Sequence, residues 1–210
     1  MKIAGSFLKI QNQVEKINNL NNCVDYIHYD IMDGKFVENK TDLQTIFENT
    51  KNVTKAKDVH LMVNDIKKYI DEIKILKPNI ITFHKEATNS PEEIIDYLHK
   101  LNIKAGLAIN PNTDLNLIKN YLNIIDLILV MSVNPGKGGQ SFIDITDKVK
   151  ELKNIKIQNN YSYLIEVDGG INDQTIKKVN MADIVVVGSY ITDSNDYQKQ
   201  VEKLKGEKNE

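Results

Sequence analysis

The regular alternation of short apolar segments with helix-like or polar segments is the feature that most constrains the fold of this chain. Eight segments, rich in Val, Ile, Leu and aromatic residues, have the length and composition of β-strands. They are residues 2–8, 25–31, 56–63, 79–85, 104–110, 126–133, 162–168 and 183–189. Strands that alternate with helices favour a parallel sheet with right-handed crossovers, and eight such units predict a closed parallel (β/α)8 barrel, the α/β TIM-barrel fold.

Helical patterns lie between several of these strands. Apolar residues with i, i+3, i+4, i+7 spacing predict a helix over 66–76. A second helix is predicted after residues 90–93 (SPEE), which combine an N-cap serine, a proline at the first helical position and a capping-box glutamate. A third pattern runs from Phe142 to Leu152, and more polar helices are predicted near 11–21 and 42–50.

The length of 210 residues favours one domain over two. We therefore predict a single barrel domain over residues 1–210, with a short Lys-rich polar C-terminal tail in EKLKGEKNE. The alternative is a doubly wound open sheet, which usually has five or six strands and a glycine-rich first turn. The first turn here reads GSFLKIQN, without a G-x-G-x-x-G pattern.

Charge and cysteine content exclude several functional classes. The net charge of −2 gives no electrostatic basis for binding nucleic acid or an anionic membrane. No apolar run approaches the roughly 18 residues that a membrane span needs, and the N-terminus has no long apolar signal-peptide core. The only cysteine, Cys23, excludes an internal disulfide and predicts a reducing, cytoplasmic location.

The chain contains no arginine, so all 27 of its Lys and Arg residues are lysine. A guanidinium fork is therefore not available for a phosphate or a carboxylate. A site for such an anion must use lysine, a metal ion or backbone N–H groups.

Polar and sulfur-containing side chains occur where the predicted strands end, and that end of a barrel is where such enzymes build their sites. Residues two apart in a strand share a face, so the members of each strand point the same way. These residues are Ser6 in the first strand, His28, Asp30 and Met32 in the second, His60 and Met62 in the third, Met131 in the sixth and Asp168 in the seventh.

Two histidines and two aspartates of this set, His28, Asp30, His60 and Asp168, offer the ligands of a divalent transition metal such as Zn, Fe, Mn or Co. The alternative is that the histidines are structural, hydrogen-bonded residues. The seventh strand lies across the barrel from the second and third, so Asp30 and Asp168 would flank a substrate from opposite faces. The three methionines either pack in the core or line a site, and Glu166, deeper on the seventh strand, receives no role.

Glycine-rich loops follow the sixth, seventh and eighth strands, where barrels commonly bind phosphate. Their backbone N–H groups can approach an anion closely, although glycines also serve tight βα turns. The residues concerned are Gly136, Lys137, Gly138, Gly139, Gly169, Gly170, Gly188 and Ser189. The first loop is not a Walker A motif, because Lys137 is followed by Gly138 rather than by Ser or Thr.

The motifs HYDIMDGKFV, DVHLMV, ITFHKEA, VMSVNPGKGGQSF and IEVDGGIN together closely resemble the ribulose-phosphate 3-epimerase family, from the first strand to the last. The resemblance implies that His28, Asp30, His60 and Asp168 bind one divalent metal ion, and that Asp30 and Asp168 exchange the roles of proton acceptor and proton donor. It also implies that Ser6, His60 and Asp168 contact the substrate. The glycine loops with Lys137 and Ser189 would surround its phosphate, and Met32, Met62 and Met131 would line the intermediate.

The reaction implied is the interconversion of D-ribulose 5-phosphate and D-xylulose 5-phosphate in the pentose phosphate pathway. It would proceed by removal and return of the C3 proton through an enediolate. The partner would be a small sugar phosphate, with no nucleic acid and no membrane. The family is often oligomeric, and the sequence leaves a homo-oligomer open.

Some positions depart from the family pattern. Where the family usually reads P-S-I-L-S-A-D, this chain reads GSFLKIQ, which retains Ser6 and Leu8 but places Lys9 after them. The Pro and Gly that follow MDG in the family are lost, and Lys137 stands where an aromatic residue is common. These departures bear on loop geometry and sugar preference rather than on the reaction class.

Three rival functions differ in the residues that they require. A 3-epimerase for D-allulose 6-phosphate shares the metal motifs. Decarboxylases and aldolases related to orotidine-phosphate decarboxylase need a D-x-K-x-x-D motif, which HYDIMDG lacks. A non-catalytic phosphate-binding barrel would be expected to have lost ligands, whereas all four remain.

Overall fold

The computed structural model describes residues 1–206 and contains eight parallel strands, which close into a barrel in chain order. The strands are β1 Lys2–Ser6, β2 Tyr26–Met32, β3 Ala56–Met62, β4 Ile80–His84, β5 Lys104–Ile109, β6 Leu127–Met131, β7 Leu164–Asp168 and β8 Ile184–Val187. Each strand overlaps its predicted segment, and β1 and β8 pair to complete the ring. The prediction of a parallel (β/α)8 barrel is confirmed.

Seven α-helices lie in the described part of the chain. They are α1 Val14–Cys23, α2 Leu43–Asn49, α3 Ile66–Ile73, α4 Pro91–Lys100, α5 Thr146–Gln158, α6 Ser189–Thr192 and α7 Tyr197–Lys205. Within residues 1–206, none of them is long and apolar enough to cross a membrane.

Several helical predictions need correction. The helix predicted over 66–76 ends at Ile73 and continues only as the 3-10 turn Lys74–Leu76. Ser90 occupies the N-cap of α4, but its side chain makes no capping hydrogen bond. Helix α5 begins at Thr146, so Phe142 lies before it.

The remaining differences concern one crossover and the C-terminus. The β5–β6 crossover contains two 3-10 turns, Leu115–Leu117 and Lys119–Tyr121, in place of an α-helix. The first residues of the predicted polar tail belong to α7, and residues 207–210 lie outside the described residues.

The strands bury both faces, as a parallel sheet in a barrel requires. In β6, Leu127, Leu129 and Met131 face the barrel interior, whereas Ile128 and Val130 pack against the helices outside. The alternation with period two therefore divides the core into an inner and an outer layer.

The strand register gives one side of the interior a polar character. Between β2 and β3, His28 pairs with Asp58, Asp30 with His60, and Met32 with Met62. Because paired residues of adjacent parallel strands lie at the same height, the register places an imidazole beside a carboxylate in two successive layers.

Candidate metal centre and active site

The four predicted metal ligands come together at the C-terminal end of the barrel. Their ligand atoms all lie within 4.8 Å of one another. Nε2 of His28 lies 3.5 Å from Oδ1 of Asp30 and 3.9 Å from Oδ2 of Asp168. Nδ1 of His60 lies 3.6 and 3.7 Å from the same two oxygens. Two nitrogens and two oxygens therefore surround one point.

The spacing of this cluster fits a bound cation. Metal–ligand bonds of about 2.0–2.2 Å place tetrahedral ligands about 3.3–3.6 Å apart, close to the separations seen here. Nε2 of His28 and Nδ1 of His60 are buried and have no hydrogen-bond partner among the described residues. Burying a nitrogen without a hydrogen-bond partner costs free energy, and a cation bound to both nitrogens would remove this cost. The residues therefore fit a divalent metal.

The electrostatics of the cluster also favour a cation. Burial lowers the pKa of His28, but the carboxylates of Asp58 and Asp30 outweigh it and raise the pKa well above the ordinary histidine value. Burial raises the pKa of Asp30, but the neighbouring His28 and His60 more than reverse this and hold the pKa far below the usual carboxyl range. The site therefore favours an ionised Asp30 and positive charge at its centre.

A carboxylate behind His28 fixes the orientation of its ring. Nδ1 of His28 lies 2.5 Å from Oδ2 of Asp58, and both side chains are almost completely buried. A proton on Nδ1 donated to Asp58 leaves the Nε2 lone pair facing the cluster. Asp58 was not predicted from the sequence, although its place two residues before His60 puts both side chains on the same face of β3.

Glu166 lies one layer below Asp168, fully buried beside His28 and Asp58. Neither of its oxygens has a hydrogen-bond partner among residues 1–206. Burial and the adjacent Asp58 raise the pKa of Glu166 well above the ordinary value. This direction favours the neutral form of Glu166 in the barrel floor.

His60 is held by a second chain of contacts. Its Nε2 lies 2.8 Å from Nε2 of His84, whose Nδ1 lies 3.2 Å from Oε2 of Glu86. Burial lowers the pKa of His84 to about 4, so this ring is neutral near pH 7. His60 can then donate from Nε2 to His84, and His84 from Nδ1 to Glu86, which leaves Nδ1 of His60 facing the cluster.

Ser6 and the methionines complete the wall of the site. Oγ of Ser6 donates to Oδ2 of Asp30 at 2.8 Å, leaving Oδ1 of Asp30 towards the histidines. Met32, Met62 and Met131 are all nearly fully buried and line the same pocket. The methionines therefore belong to both the core and the site.

The pocket above the cluster has a volume of about 610 Å³ and opens among the loops that follow β6, β7 and β8. Gly136, Gly138, Gly139, Gly169, Gly170, Gly188 and Ser189 all line it. The structure therefore brings the glycine loops and the His/Asp cluster to one cavity.

Four of these glycines illustrate two different reasons for the absence of a side chain. A Cβ at Gly170, which has a φ of +62°, would lie 2.7 Å from the backbone nitrogen of Phe142, and one at Gly169 would lie 2.5 Å from Val133. Backbone packing therefore requires glycine at these two positions. A Cβ at Gly138 or Gly188 would meet no atom closer than 3.7 Å, which is ordinary van der Waals contact, so packing does not require glycine at these two positions.

Lys137 lines the pocket at its exposed rim. Its Nζ lies 3.2 Å from Oε2 of Glu38, and the two side chains are 63% and 86% exposed. Lys137 thus forms an exposed, solvent-screened ion pair at the rim of the pocket.

The fold and the site define a class: a parallel (β/α)8-barrel enzyme with a cluster suited to one metal ion beneath a glycine-lined pocket. The sequence model of the Ribulose-phosphate 3 epimerase family matches residues 2–192. The chain therefore belongs to the ribulose-phosphate 3-epimerase family, and it is an isomerase of that family. The family and the enzyme class predicted from the motifs are confirmed.

Curated relatives agree with this membership. Ribulose-phosphate 3-epimerase of Helicobacter pylori (strain ATCC 700392 / 26695) is 37% identical over 97% of this chain and 96% of its own length. The enzyme of the same name from Escherichia coli (strain K12) is 36% identical over 87% and 84%. That from Buchnera aphidicola subsp. Baizongia pistaciae is 42% identical over 82% and 79%.

Solved structures of lower identity share the fold. 3-Hexulose-6-phosphate synthase superposes with a TM-score of 0.68 at 15% identity, over 99% of both chains. The tryptophan synthase α subunit from Campylobacter jejuni gives 0.66 at 19% identity, over 97% of this chain and 94% of its own. At these identities the likeness concerns the barrel alone.

Proposed function

We propose that this chain is a metal-dependent 3-epimerase that interconverts D-ribulose 5-phosphate and D-xylulose 5-phosphate. The observation that carries the proposal is the placement of Asp30 and Asp168. They extend from β2 and β7, two strands that are not neighbours in the barrel, and converge on the two histidines at the floor of one pocket. The names of the curated relatives support the same substrate pair.

Inversion at C3 requires a proton to leave one face of the carbon and another to arrive on the opposite face. One aspartate removes the C3 proton as a general base, which leaves an enediolate. The other aspartate protonates C3 from the opposite side as a general acid. In the reverse direction the two residues exchange roles, so the reaction needs no further proton donor.

His28, Asp30, His60 and Asp168 would hold the metal. A divalent cation, Zn, Fe, Mn or Co, supplies positive charge that offsets the charge developing on the enediolate oxygens. Ser6 orients Asp30 through its hydrogen bond. Met32, Met62 and Met131 exclude water from the intermediate with a polarisable lining.

The glycine loops would bind the phosphate through main-chain N–H groups. Gly138 and Gly188 support this use, since packing does not explain the absence of a side chain at either position. The remaining members of the site are Gly136, Gly139, Gly169, Gly170, Lys137 and Ser189, with His60 and Asp168 facing the sugar. The reducing cytoplasm predicted from Cys23 and a homo-oligomeric state stay predictions.

The decisive experiment is proton exchange at C3. Metal-loaded protein is incubated with ribulose 5-phosphate in D2O and followed by NMR. Deuterium at C3 together with xylulose 5-phosphate is expected. Exchange with allulose 6-phosphate but not with the pentose would assign the chain to the hexose reaction, and no exchange with either would refute the two-base mechanism.

A further inference from the structure

Lys9 follows β1 in the 3-10 turn Leu8–Ile10 and lines the same pocket as the glycine loops. Among the described residues that line this pocket, Lys9 and Lys137 are the only lysines. The pocket also contains the carboxylates of Asp30, Asp168 and Asp193. A cation near the loops would therefore favour the entry of a phosphate dianion.

The Lys9 side chain lies across the first glycine loop. The position that a Cβ of Gly138 would occupy is 3.8 Å from Cγ of Lys9, and the corresponding position at Gly139 is 3.2 Å from its Nζ. The latter point is also 3.8 Å from Oγ of Ser189. The ammonium of Lys9 thus lies where the loops after β6 and β8 approach each other.

Moving the Lys9 ammonium towards a ligand would cost little free energy. Its Nζ lies 3.3 Å from Oδ2 of Asp193, with the two side chains 41% and 61% exposed. Exposed pairs of this kind contribute little to stability. An ammonium has three donors, so Lys9 can retain Asp193 while it donates to a phosphate oxygen.

We propose that Lys9, at a position where the family pattern has serine, is the side-chain cation of the phosphate site and is positioned by Asp193. The inference rests on the proposed function, since it names the residue that recognises the phosphate of that substrate. Lys137 is the competing cation, but its side chain is 63% exposed at the rim of the pocket, whereas that of Lys9 is 41% exposed and lies across the glycine loop.

The test uses steady-state kinetics with ribulose 5-phosphate. Lys9→Met removes the charge while keeping the side chain long, and it is expected to raise KM roughly tenfold to a hundredfold, as for the loss of one charged hydrogen bond. We expect kcat to stay within about threefold because the chemistry lies at the opposite end of the substrate, and Lys9→Arg to restore KM to within about threefold. Lys16→Met, an exposed lysine on α1 outside this pocket, is the matched control and should leave KM unchanged.

Inorganic phosphate, titrated by calorimetry, measures the same contact without turnover. Lys9→Met should weaken its binding by a similar factor. Unchanged KM and unchanged phosphate affinity in Lys9→Met would overturn the proposal, as would a larger increase of KM in Lys137→Met. Wild-type protein that fails to epimerise the pentose, while Lys9→Met still loses phosphate affinity, would refute the proposed function and leave the role of Lys9 standing.

Discussion

The two halves of the candidate site are built in different ways. The half with the His/Asp cluster projects from strands β2, β3 and β7, and its two histidines are completely buried. The half that would bind phosphate consists of loops after β6, β7 and β8, with partly exposed side chains. Strand register positions the residues of the first half, whereas the second half depends on loop conformation. The departures from the family pattern at Lys9, after β1, and at Lys137, after β6, line the pocket beside this second half.

This difference in construction matches the two proposed functions, catalysis in the cluster half and phosphate binding in the loop half. Chemistry that requires groups within about 0.5 Å of their working positions is carried by rigid elements with supporting contacts behind them. Recognition of a phosphate tolerates variation, because many arrangements of N–H groups and lysines can surround it. Variants in the two halves should therefore fail in different ways.

The largest effect is expected in the cluster half. Asp168→Asn should lower kcat/KM at least about a thousandfold, because it removes the carboxylate that we propose as one of the two acid/base groups. Residual C3 exchange into D2O should appear in only one epimer, and Asp30→Asn should favour the other. Asp173→Asn, an exposed residue of the same loop, is the control; near-normal activity of Asp168→Asn with an unchanged circular dichroism spectrum would contradict the assignment.

The next largest effect is expected at Asp58, which orients the proposed metal ligand His28. Asp58→Asn should weaken zinc binding about tenfold to a hundredfold, the usual cost of altering a group that orients a metal-binding histidine. Competition against a chromophoric chelator measures this without reference to activity. Asp96→Asn on the exposed face of α4 should bind zinc like the wild type, and equal affinities in both variants would remove Asp58 from the site.

Two glycine variants separate packing from recognition in the phosphate half. Gly170→Ala should lower the free energy of unfolding by about 1–3 kcal/mol because it combines positive φ with a backbone clash. Gly138→Ala should change it by less than about 0.5 kcal/mol and raise KM by at most about tenfold. Urea unfolding and steady-state kinetics on both variants test this prediction. Equal losses of unfolding free energy in the two variants would contradict it.

The smallest effect is expected at Glu86, the last residue of the hydrogen-bonded chain from His60 through His84. Burial raises the pKa of Glu86, but hydrogen bonds from His84, Asn110 and Thr113 prevail and lower it to about 2. Because this pKa is lower in the folded than in the unfolded chain, ionised Glu86 stabilises the fold above about pH 4.5 and the contribution disappears as the pH falls towards 2.

Since Glu86 is partly exposed and solvent screens its charge, Glu86→Gln should cost only about 1 kcal/mol at pH 7, and the difference from wild type should shrink near pH 3. Urea unfolding at both pH values is the measurement. A difference independent of pH would mean that Glu86 acts through packing rather than through its charge.

Much of the molecule could be predicted from the sequence. The eight strands follow from their apolar composition, and the period-two spacing of His28, Asp30 and Met32 correctly places them on one face. The side chain of Ser90 was wrongly predicted to cap α4, because local patterns do not reveal whether a rotamer faces the helix end. The two 3-10 turns after β5 could not be predicted either, because packing against the barrel overrides a weak helical pattern.

The sequence by itself determined the kind of chemistry, because residue types, strand periodicity and the lack of arginine specify carboxylates, imidazoles and glycine loops at one end of a barrel. Only the tertiary structure decided which groups support them. Asp58 meets His28, His84 meets His60, and Lys9 crosses the loop at Gly139 through contacts between segments 24 to 130 residues apart. Such contacts depend on sheet register and barrel closure, which arise from the packing of the whole chain rather than from any local stretch of it.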